Sequence, residues 1–592
     1  VCMTINKENL IYIQALQPSL YRQIQTTPFP DTATLSKTKN GMLTADIDNY
    51  TLHSTYNPIA EAQKRIAAAF SPDITIAIVF NPGLGYCVDA LINQNPALLV
   101  MCIEPDIKRL AFGLSARRWD SLQANHQIFF FYQDTIDSIP VFIEYQNEIH
   151  AFKYMHHGFF TGSGITDKQL QYNETIKKTL CEPAFRDVRS NALTVDTFAG
   201  LWTRNTILNL TQSHNSLNEL LRCAWNVPAC LIGAGPALNH TLPALRNAQH
   251  KMLLVTVDTA LPALHAAGII PHIIVSVDAQ LANYRDFYFC RSRGSRLVVD
   301  ITAHPFIARY SGMPSYFFYT TRLYTTPSDT VKELPLPSST PARTVHTHLG
   351  SLQSGGTVAS SALDLLIQLN IKKIFLIGND LSYPHLQTHA INTAADILYR
   401  TTACRFAPYT TLPYRALRPR FIRSGKQHIA DSVPTDYIFL KYARWFKHAL
   451  ATADIEPYSV ACPSSEIMGI NAISISSFEH ILSNLHDTDI FSLFPAVTKR
   501  PAIIKQATHF LQQLQTKYTR LETSLTTPEK VLPLIQNDHP ALAYELSPLL
   551  SSLHYDLQNP QRRARIIQRL QSSVKLYKQA SFIAERILDF ED

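Results

Sequence analysis

Leu231-Ile232-Gly233-Ala234-Gly235-Pro236-Ala237-Leu238-Asn239 is an apolar strand that runs into two glycines and then into helix-patterned sequence. Glycine lets a backbone approach an anion closely, and the first turn of the following helix presents unpaired N–H groups and the positive end of its dipole. Leu238, Leu242 and Leu245 share one face of that helix. Further strand-like runs follow: Leu253 to Val257 ending at Asp258, Ile273 to Val277 ending at Asp278, and Arg296 to Val299 ending at Asp300. After the aromatic run Tyr316-Phe317-Phe318-Tyr319, a last strand from Ile371 to Ile377 leads into Gly378-Asn379-Asp380-Leu381-Ser382-Tyr383. Strands alternating with helices predict an α/β fold with a doubly wound, Rossmann-like parallel sheet, which holds ligands beyond the carboxyl ends of its strands. Gly233, Gly235, Pro236, Asp258, Thr259, Asp278 and Asn283 are therefore the candidate nucleotide-binding residues. A branched side chain at Gly235 is expected to disturb the ligand more than the fold. Ordinary parallel sheets also carry a glycine turn and acidic strand ends, so the turn needs its context.

That context includes Ser354-Gly355-Gly356-Thr357, which opens a second helix carrying Ala362, Leu365, Leu366 and Leu369. Two helix N-termini can hold one diphosphate from opposite sides; the alternative is an ordinary cap. Between Pro384 and Ile438 the pattern weakens into polar sequence bearing Arg400, Arg405, Tyr409, Tyr414, Arg418, Arg420 and Arg423. Such a stretch is expected to be a lid or a solvated connection. From about residue 491 the chain reads as helical, with Ile504, Ala507, Leu511, Leu514, Tyr518, Leu521 and Leu525, and later Ile567, Leu570, Val574 and Tyr577, on apolar stripes. Those stripes are expected to pack within a bundle, with an oligomerising or partner-binding helix as the alternative.

Near the N-terminus, Ile74 to Phe80, Asn81-Pro82-Gly83-Leu84-Gly85-Tyr86 and Leu98 to Ile103 ending at Glu104 imitate a nucleoside site. Cys87 stands where a third glycine would help a cofactor turn, so this motif is read as structural. A chain of 592 residues exceeds one core. Three domains are expected: an N-terminal α/β domain over 1–190, the central domain over 191–490 and a helical C-terminal domain over 491–592.

The formal charge of +7, from 53 basic and 46 acidic residues, is a mild excess without a basic block, which argues against nucleic acid as a partner. Nine scattered cysteines without a C-x-x-C pair suit a reducing compartment. Without a signal-like N-terminus or a long apolar run, the expectation is a cytoplasmic protein with no membrane partner.

Taken together, Gly233-Ala234-Gly235-Pro236-Ala237-Leu238, Val257-Asp258-Thr259-Ala260-Leu261 with Gly268-Ile269-Ile270-Pro271, Ser276-Val277-Asp278, and Gly355 to Asp380 resemble the motility-associated factor family in order and spacing. The resemblance implies a flagellin glycosyltransferase with a sialyltransferase-like core. Its donor would be a CMP-activated nonulosonic acid of the pseudaminic or legionaminic type, and its acceptors the Ser and Thr hydroxyls of flagellin. The same fold likeness covers a pterin pyrophosphokinase-like branch, and a degenerate flagellin-binding or assembly factor is the reading without catalysis. Ala237 replaces the family's usual Ser and Asn379 its usual Gln, and both changes touch the donor side of the site.

On this reading the phosphate falls to Ser354, Gly355, Gly356 and Thr357 with the Tyr383 hydroxyl, and the base is Asp380 or His389. His346-x-His348 and His385-x-x-x-His389 offer imidazoles without an acidic cluster beside them. Neither a metal nor a cofactor is expected, the CMP-sugar being a substrate.

Overall fold

The computed structural model describes residues 6–591 apart from 124–126, 151, 213–214, 289, 291, 293, 326–330, 346–348, 425–427, 431–432, 462–467, 497–500, 525–534, 536–538, 540 and 546–559. Two compact units divide the chain. One comprises Val1–Thr197, Leu323–Leu334 and Ala543–Arg569; the other comprises Phe198–Arg322, Pro335–Leu542 and Leu570–Asp592.

In the first unit, β1 (Ile76–Phe80), β2 (Leu99–Ile103), β3 (Gln127–Phe131) and β4 (His157–Thr161) form a parallel sheet in the order β3-β2-β1-β4. Every residue of β1 and β2 is buried. That burial on both faces explains why these strands read as unbroken apolar runs rather than alternating ones.

The second unit is built on β5 (Ala229–Ile232), β6 (Leu253–Val257), β7 (Ile273–Ser276), β8 (Arg296–Asp300), β9 (Ser315–Thr325), β10 (Lys373–Ile377), β11 (Glu456–Val460) and β12 (Asn471–Ile473). They lie in the order β9-β8-β7-β6-β5-β10-β11-β12 within an 11-stranded sheet. All seven neighbouring pairs among these eight are parallel. The winding proceeds one way from β5 to β9 and the other way from β10 to β12, so the expected doubly wound sheet is present. Its order reverses between β5 and β10, with Ile232 beside Ile377. A crevice opens at the carboxyl ends of strands at such a reversal.

Helix α1 (Leu238–Ala248) follows β5, and α2 (Val358–Gln368) precedes β10. The stretch expected to be weakly structured instead holds α3 (Ala394–Thr402) and α4 (Thr411–Ser424) and leads into α5 (Tyr437–Thr452). Its helices escape a periodicity reading because Ile397, Leu398 and Tyr414 stay exposed and Pro419 sits inside α4, so no sustained apolar stripe marks them. Further along, Leu511, Leu514 and Tyr518 on one tail helix and Leu570, Val574 and Tyr577 on another are buried, and the Tyr518 and Tyr577 rings lie 5.5 Å apart. No described helix is long and apolar enough to cross a membrane.

Candidate active site

The reversal brings Gly233 and Gly378 together as two strand ends in backbone contact. Gly233 N donates to Ile377 O, and Gly235 N to Gly378 O, each at 2.8 Å. A Cβ on Gly233 or Gly235 would overlap Gly378 O. Asn379 spans the same seam, its amide donating to Leu231 O at 3.0 Å and Ile377 O at 3.2 Å.

Asp380, expected as a base, lies against the first turn of α1: its Oδ2 accepts from Ala237 N at 2.8 Å. A carboxylate therefore already occupies the positive helix end where a ligand phosphate would sit. The chain after it continues across the turn, Ala390 N donating to Ala234 O and Ile391 N to the Asn239 side chain. Gly233, Gly235 and Pro236 thus belong to a turn covered by the protein itself. A branched side chain at Gly235 would meet Gly378 and Asp380 before any ligand, so its effect is expected to fall on the fold first.

The second glycine turn is arranged differently. Gly356 has φ +96° and lies under the Tyr442 ring, while Gly355 lies under Trp445; a Cβ at either would strike these α5 side chains. Gly355 N is bonded to Ser360 Oγ and Gly356 N to Ser354 Oγ. The helix begins later than the glycines, at Val358, and Thr357 at its N-cap position makes no side-chain cap. Ser360 N closes the first turn on Thr357 O at 3.0 Å, and no side chain among the described residues caps the helix's N–H groups ahead of it.

Beside that helix start, Tyr383 is buried, its ring 4.9 Å from Phe439, and its hydroxyl donates to Asp436 Oδ2 at 2.7 Å. Arg420 Nη1 donates to the Tyr383 hydroxyl at 2.6 Å and reaches Asp436 Oδ2 at 3.3 Å. Asp436 also caps α5 through Phe439 N at 2.9 Å. Burial, then the bond to Asp436, pushes the Tyr383 pKa up, which keeps it a phenol. Tyr442, the ring over Gly356, feels both Arg420 and Asp436. His389 is partly buried and its pKa is lowered to about 4, by burial first and then by Arg420, so its imidazole is neutral. Its Nδ1 has no hydrogen-bond partner among the described residues.

The loop carrying these groups is strained: Leu381, His385 and Leu386 have φ +43°, +53° and +59°. Non-glycine residues in that region cost about 1–3 kcal/mol each and persist where the surroundings hold them. Here Tyr383 N is bonded to Pro434 O, and Thr435 Oγ1 to Leu381 O, both at 2.7 Å. Arg420 and Asp436 carried no assigned role in the sequence; an arginine within a basic, aromatic stretch was the only signal. His346 and His348 lie outside the described residues.

At the ends of β6 and β7, Asp258 is buried and accepts from Ser276 Oγ at 2.6 Å, Asn283 Nδ2 at 2.7 Å and Thr259 N at 2.8 Å. Burial raises its pKa and these bonds oppose the rise. Asp278 accepts from Gln280 N at 2.9 Å. The loops beyond β7 and β8 are held by Asn205 and Asn209, one helical turn apart, whose amides donate to Ala279 O, Thr302 O, Ile301 O and Ala303 O.

In the first unit, the Gly83–Gly85 turn is filled by the protein's own side chains. Leu84 N donates to His53 Nε2 at 2.9 Å, and a Cβ on Gly85 would strike Trp119. Glu104 is buried beside Asn81, which donates to it at 3.1 Å, and burial raises its pKa to about 7 against the pull of Arg109. A carboxyl that binds its proton more tightly folded than unfolded loses stability as pH rises. Stability of this unit is therefore expected to fall between pH 4.5 and about 7, and Glu104→Gln to flatten that part of the curve. Urea melts of both proteins across that range check it, and parallel curves would remove Glu104 as the cause.

A parallel sheet wound both ways from the reversal between β5 and β10 places the chain in the doubly wound class of α/β fold. Within that class the chain has the fold of the MAf glycosyltransferase from Magnetospirillum magneticum AMB-1, with a TM-score of 0.58 over 98% of this chain and 96% of that one at 13% identity. The resemblance to a motility-associated factor thus holds as a likeness of fold. Residues 204–385 match the family model described as 6-hydroxymethylpterin diphosphokinase MptE-like. An uncharacterised protein of Treponema pallidum (strain Nichols) is 24% identical over 472 residues, 77% of this chain and 78% of the relative. Another from the same organism is 25% identical over 221 residues, 36% of this chain and 72% of the relative.

Proposed function

We propose that the protein is a cytoplasmic glycosyltransferase that moves a nonulosonic acid of the pseudaminic or legionaminic type from its CMP-activated donor to Ser and Thr hydroxyls of flagellin. The observation that carries this reading is Arg420, fixed by the Tyr383 hydroxyl and Asp436, with Tyr442, the ring over Gly356 ahead of α2, in the field of the same guanidinium. When the anomeric carbon–oxygen bond to CMP breaks, negative charge grows on the departing phosphate. Prearranged N–H and guanidinium donors stabilise that charge more than the ground state, and the Tyr383 hydroxyl, its proton given to Asp436, holds the guanidinium in place. The whole-chain likeness to a MAf glycosyltransferase supports the reaction class. The rest of the donor is assigned to the strand ends around Asp258, Thr259, Asp278 and Asn283.

The match over 204–385 favours a second reading, a pterin diphosphokinase, which would take ATP with Mg²⁺ in place of CMP. Calorimetry with CMP, and separately with ATP and Mg²⁺, distinguishes them, and CMP alone is expected to bind. Mass spectrometry of flagellin co-expressed with the protein, in a host making the activated sugar, then reads the transfer. ATP binding without CMP binding would sink the transferase; flagellin capture without CMP binding would leave an assembly factor.

A further inference from the structure

One carboxyl at this end of the sheet has no use in the phosphate site. Asp286 lies in the 3₁₀ turn Leu281–Phe287, three residues after Asn283, and three residues make one turn of such a helix. Both side chains therefore face the same way, and that of Asn283 is bonded to Asp258. Asp258 has three donors, but Asp286, only 6% exposed, has its Oδ1 buried without a hydrogen-bond partner among the described residues. Buried acceptors are normally paired, so this oxygen faces a donor that the described chain does not supply.

An aromatic ladder flanks the same turn. The rings of Tyr288 and Tyr284 are 5.8 Å apart, those of Tyr284 and Phe306 6.1 Å, and those of Phe306 and Tyr310 5.0 Å, all edge to face. Tyr288, Phe306 and Tyr310 are exposed at 64%, 41% and 58%. A contiguous apolar surface of this kind marks a binding face. The carboxylates of Asp258 and Asp278 beside it repel phosphate, which leaves an uncharged or cationic occupant with hydroxyls to offer. A polypeptide segment presenting Ser or Thr has that chemistry, whereas the donor's phosphate is served by Arg420 and α2.

Resting on the transferase reading, we propose that Asp286 is the catalytic base that takes the acceptor hydroxyl's proton, and that the Tyr288–Tyr284–Phe306–Tyr310 ladder is where the acceptor polypeptide lies. The acceptor oxygen forms its bond to the anomeric carbon as the carbon–oxygen bond to CMP breaks. The electron pair of that bond leaves with CMP, and the hydroxyl proton passes to Asp286.

The environment suits the task. Burial, then the charges of Asp258 and Asp278, raises the Asp286 pKa to about 8, and Arg285 opposes them. The neighbouring helices Leu261–Ala266 and Pro305–Tyr310 carry His265 and Arg309, with His304 at the start of the latter. A base works ionised, so kcat/KM is expected to rise with pH and level off above about 8.

The test is steady-state transfer from CMP-pseudaminic acid to flagellin by the full chain, from pH 6 to 9, alongside CMP calorimetry and melting curves. Asp286→Asn is expected to lower kcat by about 10²–10⁴-fold and abolish the rising limb while holding CMP affinity and the melting temperature. Asp286→Glu is expected to restore part of the rate with a displaced limb. Phe306→Ala with Tyr288→Ala should raise the KM for flagellin more than it lowers kcat. Unchanged turnover in Asp286→Asn, or a flat pH profile in the parent, overturns the base. Loss of CMP affinity instead makes Asp286 a nucleoside contact, and an unchanged flagellin KM removes the ladder. A parent that transfers nothing overturns the transferase reading itself, which separates that failure from the others.

Discussion

Arg420→Ala is expected to reduce transfer from a CMP-activated sugar by about 10²–10³-fold in kcat, the scale seen when one prearranged donor to a developing anion is removed. The guanidinium is fixed by the Tyr383 hydroxyl at 2.6 Å and Asp436 at 3.3 Å, yet its side chain remains 48% exposed and open to a ligand. Fixed on one side and free on the other, it need not reorganise as charge develops. Arg420→Lys should recover only part of the rate, because a point charge on a flexible stem lacks the guanidinium's planar fork. Tyr383→Phe keeps the ring against Phe439 and removes a hydroxyl, so a smaller loss is expected with the fold intact. Single-turnover kinetics with CMP affinity measured on the same samples read the effect. A loss confined to CMP affinity, with kcat unchanged, would make Arg420 a ground-state contact rather than a stabiliser of the leaving phosphate.

The strands were legible because burial on both faces demands unbroken apolar runs, and β5, β6, β7 and β10 supply them. Both glycine turns were legible for the same local reason, but their occupants were not. Asp380 and Ala237 are 143 residues apart, and Tyr383 and Asp436 are 53 apart, so only the β5–β10 seam and the loop beside it bring them together. Local pattern shows that a helix start exists; it does not show that one start is covered by a carboxylate and the other left uncapped. Asp286 was hidden differently. A lone aspartate in a short turn has no periodicity, and its significance comes from burial beside two other carboxylates. The helices between Pro384 and Ile438 were missed because amphipathic stripes record burial, and these helices keep large apolar residues exposed.

Gly235→Val is expected to destabilise the second unit by roughly 3–5 kcal/mol, combining overpacking with loss of a buried hydrogen bond. A Cβ there would stand 2.8 Å from Gly378 O and overlap the Asp380 carboxylate. The carbonyl cannot retreat, because Gly378 has φ +66° and its own Cα side faces Gly233 O. Displacing Asp380 instead breaks its bond to Ala237 N and strands a buried charge at the start of α1. The two contributions separate in a cycle. Gly235→Ala in an Asp380→Ala background retains the clash with the carbonyl and loses the one with the carboxylate, so it should cost less there than in the parent. Equilibrium urea unfolding measures each step, and CMP titration on the folded fraction shows whether binding falls only as the fold does. A Gly235→Val protein with the parent's unfolding midpoint but no affinity for CMP would return the turn to the ligand and refute the account of it as a seam between β5 and β10.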